Sequence, residues 1–405
     1  MRKNFFKVLV LLALIFLPLH SLSSGLHSVL VLSKEVDSIC NDSNGNIIPP
    51  IGTVIFNSKA TSHKYIGSPS IAILNDGTYI VSHDYFGNFL SDTFLYMSKD
   101  HGYTWTRISE IKQLNWSKLF VHGSELYLLG VRPKGSSGYG DCVILRSLDN
   151  GYTWTSPHDQ KSGLLLAGFY HTAPTPVAFY HGRIWKAMEN RGKIDGWGDF
   201  SSFVMSVKEK NDLLDASNWT ISNEMKFDTA SLKNATTWLE GNIVIKRGKE
   251  VKNILRVHYP LDDKAAVMDV SRDGKNVAFN SSTGIIDFPG GSKKFNILYD
   301  EKSKKYWTLS NYVLDKDKSG YNERTRNTVA LSWSDDLIHW HIKDIVLHHL
   351  DVGHHGFQYL DWLIDGDDII AVSRTAWEDE TGNADNQHNA NYLTFHRFTN
   401  FREEK

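Results

Sequence analysis

Arginine, glutamate, tyrosine and histidine recur along this chain too far apart for any local motif. Glu240 precedes Arg256 by 16 residues, Tyr359 follows Arg326 by 33, and Glu378 follows Tyr359 by 19. Asp92 stands well upstream of them. A second set is rich in histidine: His83 before Asp84, His171 before Thr172, then Glu189 and Arg191, His258-Tyr259 just after Arg256, His354-His355 just before Tyr359, and His388. An imidazole titrates near neutrality and can exchange protons. A guanidinium holds a carboxylate through paired, charge-assisted hydrogen bonds. The chemistry these types suit is proton transfer beside an anionic group. No H-E-x-x-H spacing occurs and His354 and His355 are adjacent, so no metal is expected. Neither Thr155-Ser156-Pro157 nor the glycines at 290 and 291 make a phosphate loop, and no cofactor is expected.

Residues so dispersed need a scaffold that returns the chain repeatedly to one place. Ser98-Lys99-Asp100-His101-Gly102-Tyr103-Thr104-Trp105 recurs 49 residues later as Ser147-Leu148-Asp149-Asn150-Gly151-Tyr152-Thr153-Trp154, with a weaker copy over Ser334–Trp340. Asp and Gly in this pattern build a tight turn between two strands, and the Trp can then pack between neighbouring sheets. The pattern S-x-D-x-G-x-T-W resembles the Asp-box of sialidases and other β-propellers, where it is structural. Short strands and polar turns divide the chain into six units: 68–108, 116–155, 172–220, 237–287, 294–345 and 357–398. The sixth is one strand short, with candidates at Tyr359–Ile364, Ile369–Arg374 and Tyr392–Phe398. Thr53–Asn57 is expected to supply the missing strand and so remove the exposed edges. The expected fold is all-β, a six-bladed β-propeller spanning 51–405 as a single domain. A seven-bladed ring using Ser28–Ser33 is the alternative.

The resemblance to exo-sialidases extends to the dispersed residues. That family carries an Arg-Ile-Pro motif in the first blade, then an acid/base Asp. A later blade brings Glu followed by Arg, another Arg stands before a late Asp-box, and the last blade has a nucleophilic Tyr followed by a supporting Glu. Here Asp92 lies 23 residues after Pro69, and Arg326 just before Ser334. The resemblance implies that Asp92 is the acid/base, Tyr359 the nucleophile and Glu240 its activator. It also implies that Arg256 and Arg326 bind a carboxylate and that Glu378 supports the site. A neutral phenol avoids repulsion from the substrate's own carboxylate. The departure is at the first arginine, where this chain reads Gly67-Ser68-Pro69. Lys64, the nearest cation, is off register. Propellers that act as polysaccharide lyases or rhamnose-releasing enzymes on uronates are also similar. On that pattern His83 or His171, with Tyr259 and Arg256, would carry the site.

Composition narrows the partners. A formal net charge of -2 offers no basic field for nucleic acid. Aromatics make up 12% of the chain, which suits strands and also the apolar faces of sugar rings. Arg2 and Lys3, the apolar run Val8–Leu17 and small polar residues to Gly25 read as a signal peptide over 1–24, with an irregular lead-in over 25–50. No transmembrane segment is expected in the mature chain. Two cysteines, Cys40 and Cys142, permit one disulfide or two free thiols. The expected protein is secreted, periplasmic or extracellular. It acts on an oligo- or polysaccharide as an exo-acting glycoside hydrolase of sialidase type, or as a lyase of the kind just named, or binds carbohydrate without catalysis.

Overall fold

The computed structural model describes residues 48–86, 92–191 and 198–404. The expected signal peptide, most of the lead-in, Cys40 and the segment Ser28–Ser33 lie outside the described residues. Those described form antiparallel strands joined by tight turns, with five short 3-10 turns and no α-helix among them. One 3-10 turn, Ala216–Asn218, is capped by Asp215, whose side chain accepts the Ser217 N–H.

Six units succeed one another along the chain. The first comprises Ser70–Ile73, Tyr79–His83, Thr93–Ser98 and Thr106–Ile111, and the second Asn115–His122, Glu125–Pro133, Gly140–Ser147 and Leu164–His171. The third is built on Arg183–Asn190 and Ser201–Lys208, and it is not separate from the second. Leu164–His171 pairs with Gly140–Ser147 on one side and, through Tyr170 and His171, with Arg183–Asn190 on the other. The two units therefore form one nine-stranded sheet. The fourth contains Thr237–Lys246, Glu250–His258 and Lys264–Val270, with the short strands Val277–Phe279 and Ile285–Asp287. Asn296–Asp300, Lys305–Asn311, Thr328–Ser334 and His341–His348 make the fifth. In the sixth, Gly356–Asp365, Asp368–Ala376 and Tyr392–Phe398 are completed by Thr53–Asn57, with Thr53 opposite Phe395 and Asn57 opposite Tyr392. The first strand described thus lies beside the last, where the sequence required a partner.

Each unit packs on the next. Leu95 and Leu128 join the first to the second, Met188 and Cys142 the third to the second, and Trp185 and Val251 the third to the fourth. Phe295 and Ile254 join the fifth to the fourth, and Trp307 and Trp362 the fifth to the sixth. Leu393 and Phe395 then pack with Tyr79 and Val81, which joins the sixth to the first. Central strands are therefore covered on both faces, and Ile369–Ala376 is buried throughout rather than alternating.

The repeated S-x-D-x-G-x-T-W turns are alike in detail. Ser98 Oγ accepts the Gly102 N–H at 2.9 Å, and Asp100 accepts the Thr104 N–H at 2.9 Å and its hydroxyl at 2.5 Å. The second copy has the same bonds from Gly151 and Thr153 at 2.8, 2.8 and 2.6 Å. Gly102 has φ +94°, and a Cβ there would fall 2.2 Å from the Phe395 ring of the neighbouring unit. Ser271-Arg272-Asp273-Gly274 folds similarly, with Ser271 Oγ accepting the Asn276 N–H, although it lacks the Trp and escapes the motif.

Candidate active site

Three inner strands share one irregularity. Between Asn115 and Lys118, between Leu239 and Asn242, and between Gln358 and Asp361, three steps along the strand face two on its partner. Each is a β-bulge, which bends the strand and re-aims a side chain. The second residue in each case has a left-handed backbone: Trp116 at φ 55°, Glu240 at 57° and Tyr359 at 56°. Non-glycine residues there are costly and concentrate at functional sites.

The bulges of the fourth and sixth units bring Tyr359 and Glu240 together. The phenol donates to Glu240 Oε1 at 2.7 Å, and Arg256 Nη1 donates to Glu240 Oε2 at 3.0 Å and to the phenol oxygen at 3.4 Å. Glu240 and Arg256 are buried, and Tyr359 is part-exposed. Burial alone would push the Glu240 carboxyl up, but Arg256, then His171, outweigh it and hold the group below its ordinary range. Burial and then the Glu240 charge push the Tyr359 phenol up, against Arg256, Arg374 and Arg326. Glu240 is thus ionised and Tyr359 neutral at neutral pH, with the proton on the tyrosine and its acceptor in place.

Two more guanidinium groups converge here. Gln358 Oε1 accepts from Arg326 Nη1 at 3.2 Å and from Arg374 Nη2 at 3.1 Å, and the Arg374 guanidinium lies 4.0 Å from the centre of the Tyr359 ring. Arg374 sits opposite Gln358 in the strand register. Burial, then the Arg256 charge, pushes Arg326 down to about 9, so it keeps its charge at neutral pH. The Nε atoms of Arg326 and Arg374 are buried without a partner among the described residues. Arg374 was not singled out in the sequence. The signal for it was the hairpin turn at Asp365–Asp368, from which counting back past one bulge sets residue 374 opposite 358.

Other expected residues fall elsewhere. Asp92 does not join the group: its carboxylate takes Lys112 Nζ at 2.9 Å and the Gln113 N–H at 3.0 Å at the margin of the first unit. His83 faces inward, stacked among Phe56, Phe94 and Tyr96, and burial lowers it to about 4, so it neither reaches substrate nor carries a proton at neutral pH. Glu378 binds His355 Nε2 at 2.6 Å rather than an arginine. Tyr259 packs beside Trp238 and Leu255, apart from Arg256. Lys64 is exposed. His171 does lie close, its Nδ1 2.9 Å from Glu189 Oε2, while Glu189 Oε1 accepts the Gly241 N–H at 3.2 Å. At position 67 an arginine has no room: a Cβ would fall 1.8 Å from Asp84 Oδ1. Asp84 itself accepts the backbone N–H groups of Ser68 and Trp116, and burial raises it to about 6. Among the described residues no cluster of three or more His, Cys, Asp or Glu could hold a metal, and no helix is long and apolar enough to cross a membrane.

No protein-family model and no curated protein matches this sequence. Solved structures do match. A Hadza microbial sialidase superposes with TM-score 0.59 at 14% identity, over 88% of this chain and 71% of its own. An α-L-arabinofuranosidase from Fusarium graminearum, in complex with an iminosugar inhibitor, gives 0.57 at 13% identity over 88% and 99%. A protein of unknown function from Dyadobacter fermentans gives 0.57 at 14% over 87% and 99%. The fold is that of the sialidase-like β-propellers. The group around Tyr359 therefore stands on a fold shared with glycosidases, at identities that establish architecture alone.

Proposed function

We propose that this chain is a six-bladed, single-domain, secreted glycoside hydrolase that removes an acidic sugar from the end of a glycan. The observation that carries the reading is the 2.7 Å hydrogen bond from Tyr359 to Glu240, made between two bulges of separate units. Tyr359 Oη attacks the anomeric carbon while Glu240 takes its proton, and the sugar is held as a glycosyl-tyrosine until water displaces it. The ionised Glu240 prepares the phenol for that transfer. Arg256, Arg326 and Arg374 bind the sugar's carboxylate. The third guanidinium comes from the sixth unit, beside the nucleophile, rather than from the first unit at Gly67. The carboxylate is accordingly met from a different side than in the arrangement the sequence resembles, which favours a uronide or another acidic sugar over a standard sialoside.

The test is a panel of uronides, sialosides and neutral glycosides, with a 2-fluoro analogue of the best substrate as a trap. Peptide mass mapping should find the trapped sugar on Tyr359. Tyr359→Phe should lose at least roughly a thousandfold in kcat while keeping its fold, since only one hydroxyl is removed. Full activity in that variant would overturn the reading. A lyase is the second reading, favoured by the His171–Glu189 pair, and it would release an unsaturated uronate instead.

A further inference from the structure

Two protons move in the reaction proposed above, and Glu240 carries only one. The oxygen leaving the sugar needs another. Asp92 is engaged by Lys112 and Gln113. Both oxygens of Asp84 are taken by backbone N–H groups, and Glu378 is tied to His355.

We infer that His171 is the catalytic acid/base of this site, with Glu189 as its positioning residue and with the part-exposed Trp116 forming the platform for the leaving sugar. This rests on the glycosidase reading. Glu189 links His171 to the nucleophile's activator: one oxygen holds His171 Nδ1, and the other holds the N–H of Gly241, next in chain to Glu240. Glu189 and Gly241 lie in different units, so the pair fixes the imidazole relative to Glu240. With Nδ1 bound to Glu189, Nε2 is the nitrogen left to exchange a proton, and it has no partner among the described residues. His171 is also near enough for its charge to act on Glu240. The ring is walled by Trp116 at 4.5 Å, Phe200 at 4.9 Å and Tyr139 at 6.1 Å between centroids. Trp116 occupies the bulge position in the second unit that Glu240 and Tyr359 occupy in their own strands. Aromatic faces of this kind suit the apolar face of a pyranose.

In the first half-reaction the bond from Tyr359 Oη to the anomeric carbon forms and the glycosidic bond breaks. The phenolic proton passes to Glu240, and the leaving oxygen takes the proton of His171 Nε2. In the second, neutral His171 takes a proton from water, the water oxygen bonds the anomeric carbon, and the departing phenolate recovers its proton from Glu240. Both side chains end as they began.

The experiment compares glycosides of one acidic sugar carrying either an alkyl or a dinitrophenyl leaving group. The dinitrophenolate departs without protonation. His171→Ala and His171→Gln, checked for fold by circular dichroism, should lose roughly a hundredfold or more on the alkyl glycoside. In kcat/KM, which reads the first half-reaction, they should stay within about tenfold of wild type on the dinitrophenyl one, while its kcat falls because the base that activates water is gone. Azide should restore turnover of the dinitrophenyl substrate by His171→Ala and yield the glycosyl azide. Glu189→Gln should show the same leaving-group pattern in weaker form. Equal losses on both substrates, or none on either, in an otherwise active enzyme overturn the role of His171 and leave that of Tyr359 standing. A wild type that hydrolyses no glycoside, or that releases an unsaturated uronate, overturns the glycosidase reading and this inference with it.

Discussion

At the scale of single residues the unusual feature is how much positive charge is held beside one phenol. Arg256, Arg326 and Arg374 are all buried, and Glu240 balances only one of them. Charge-assisted hydrogen bonds contribute about 1.5–3 kcal/mol each. Arg374→Ala should therefore raise KM for an acidic substrate roughly ten- to hundredfold, with little effect on a neutral one. The complementary variant, Gly67→Arg, should fail to tighten binding. Its Cβ would strike Asp84, which holds the backbone of Trp116, so the loss should appear as a lower melting temperature. Steady-state kinetics and thermal unfolding of both variants check this pair. An acidic-substrate KM unchanged in Arg374→Ala would remove that residue from the carboxylate site.

Elements explain which parts of the site could be read in advance. The grouping of Tyr359, Glu240, Arg256 and Arg326 was legible because strand order and spacing survive in the sequence. The bulges were not, since one extra residue in a strand leaves no mark on composition, and without the bulge Arg374 cannot be set opposite Gln358. Asp92 was misleading for the opposite reason: its spacing from Pro69 fitted, but the turn beyond Ile111 supplies Lys112 and Gln113 as partners. His83 sat at a strand end in the sequence and proved to be core, because Thr53–Asn57 lays Phe56 across it. The bulge that carries Glu240 depends on Gly241. A Cβ there would fall 2.3 Å from Asn253 Oδ1 and 2.8 Å from Ala187 Cβ. Gly241→Ala should therefore destabilise the fold by about 1–3 kcal/mol, as overpacking does. It should also lower kcat by moving Glu240. Urea unfolding measures the first effect, and an unchanged midpoint would show that the strand absorbs the methyl group.

At the scale of the molecule, lysines from several units are sunk among the inner strands. Lys118 Nζ meets Asp361 at 2.5 Å, Lys294 Nζ donates to the Leu360 carbonyl at 2.6 Å, and Lys186 Nζ donates to Thr175 Oγ1 at 2.6 Å. Burial lowers Lys186 and Lys294 to about 7. Their unfolded values lie near 10.5, so the unfolded chain binds more protons between about pH 7 and 10.5 and stability rises with pH there. Each such lysine contributes up to about 1.4 kcal/mol per pH unit in that window. Lys294→Met should accordingly gain on wild type at pH 7 and lose that advantage by pH 9, a change on the order of 2 kcal/mol. Denaturant unfolding of both proteins at the two pH values reads it directly. A difference that does not change with pH would show that Lys294 is charged throughout.

The pairing of Thr53–Asn57 with Tyr392–Phe398 has a consequence for the covalent chain. Because these strands run antiparallel, the residues just before Thr53 and just after Phe398 emerge at the same corner of one sheet. The sixth unit is thus a seam, laced by hydrogen bonds where every other unit is continuous polypeptide. A few linking residues would sew it shut, and a cut in any exposed hairpin would move the opening to another unit.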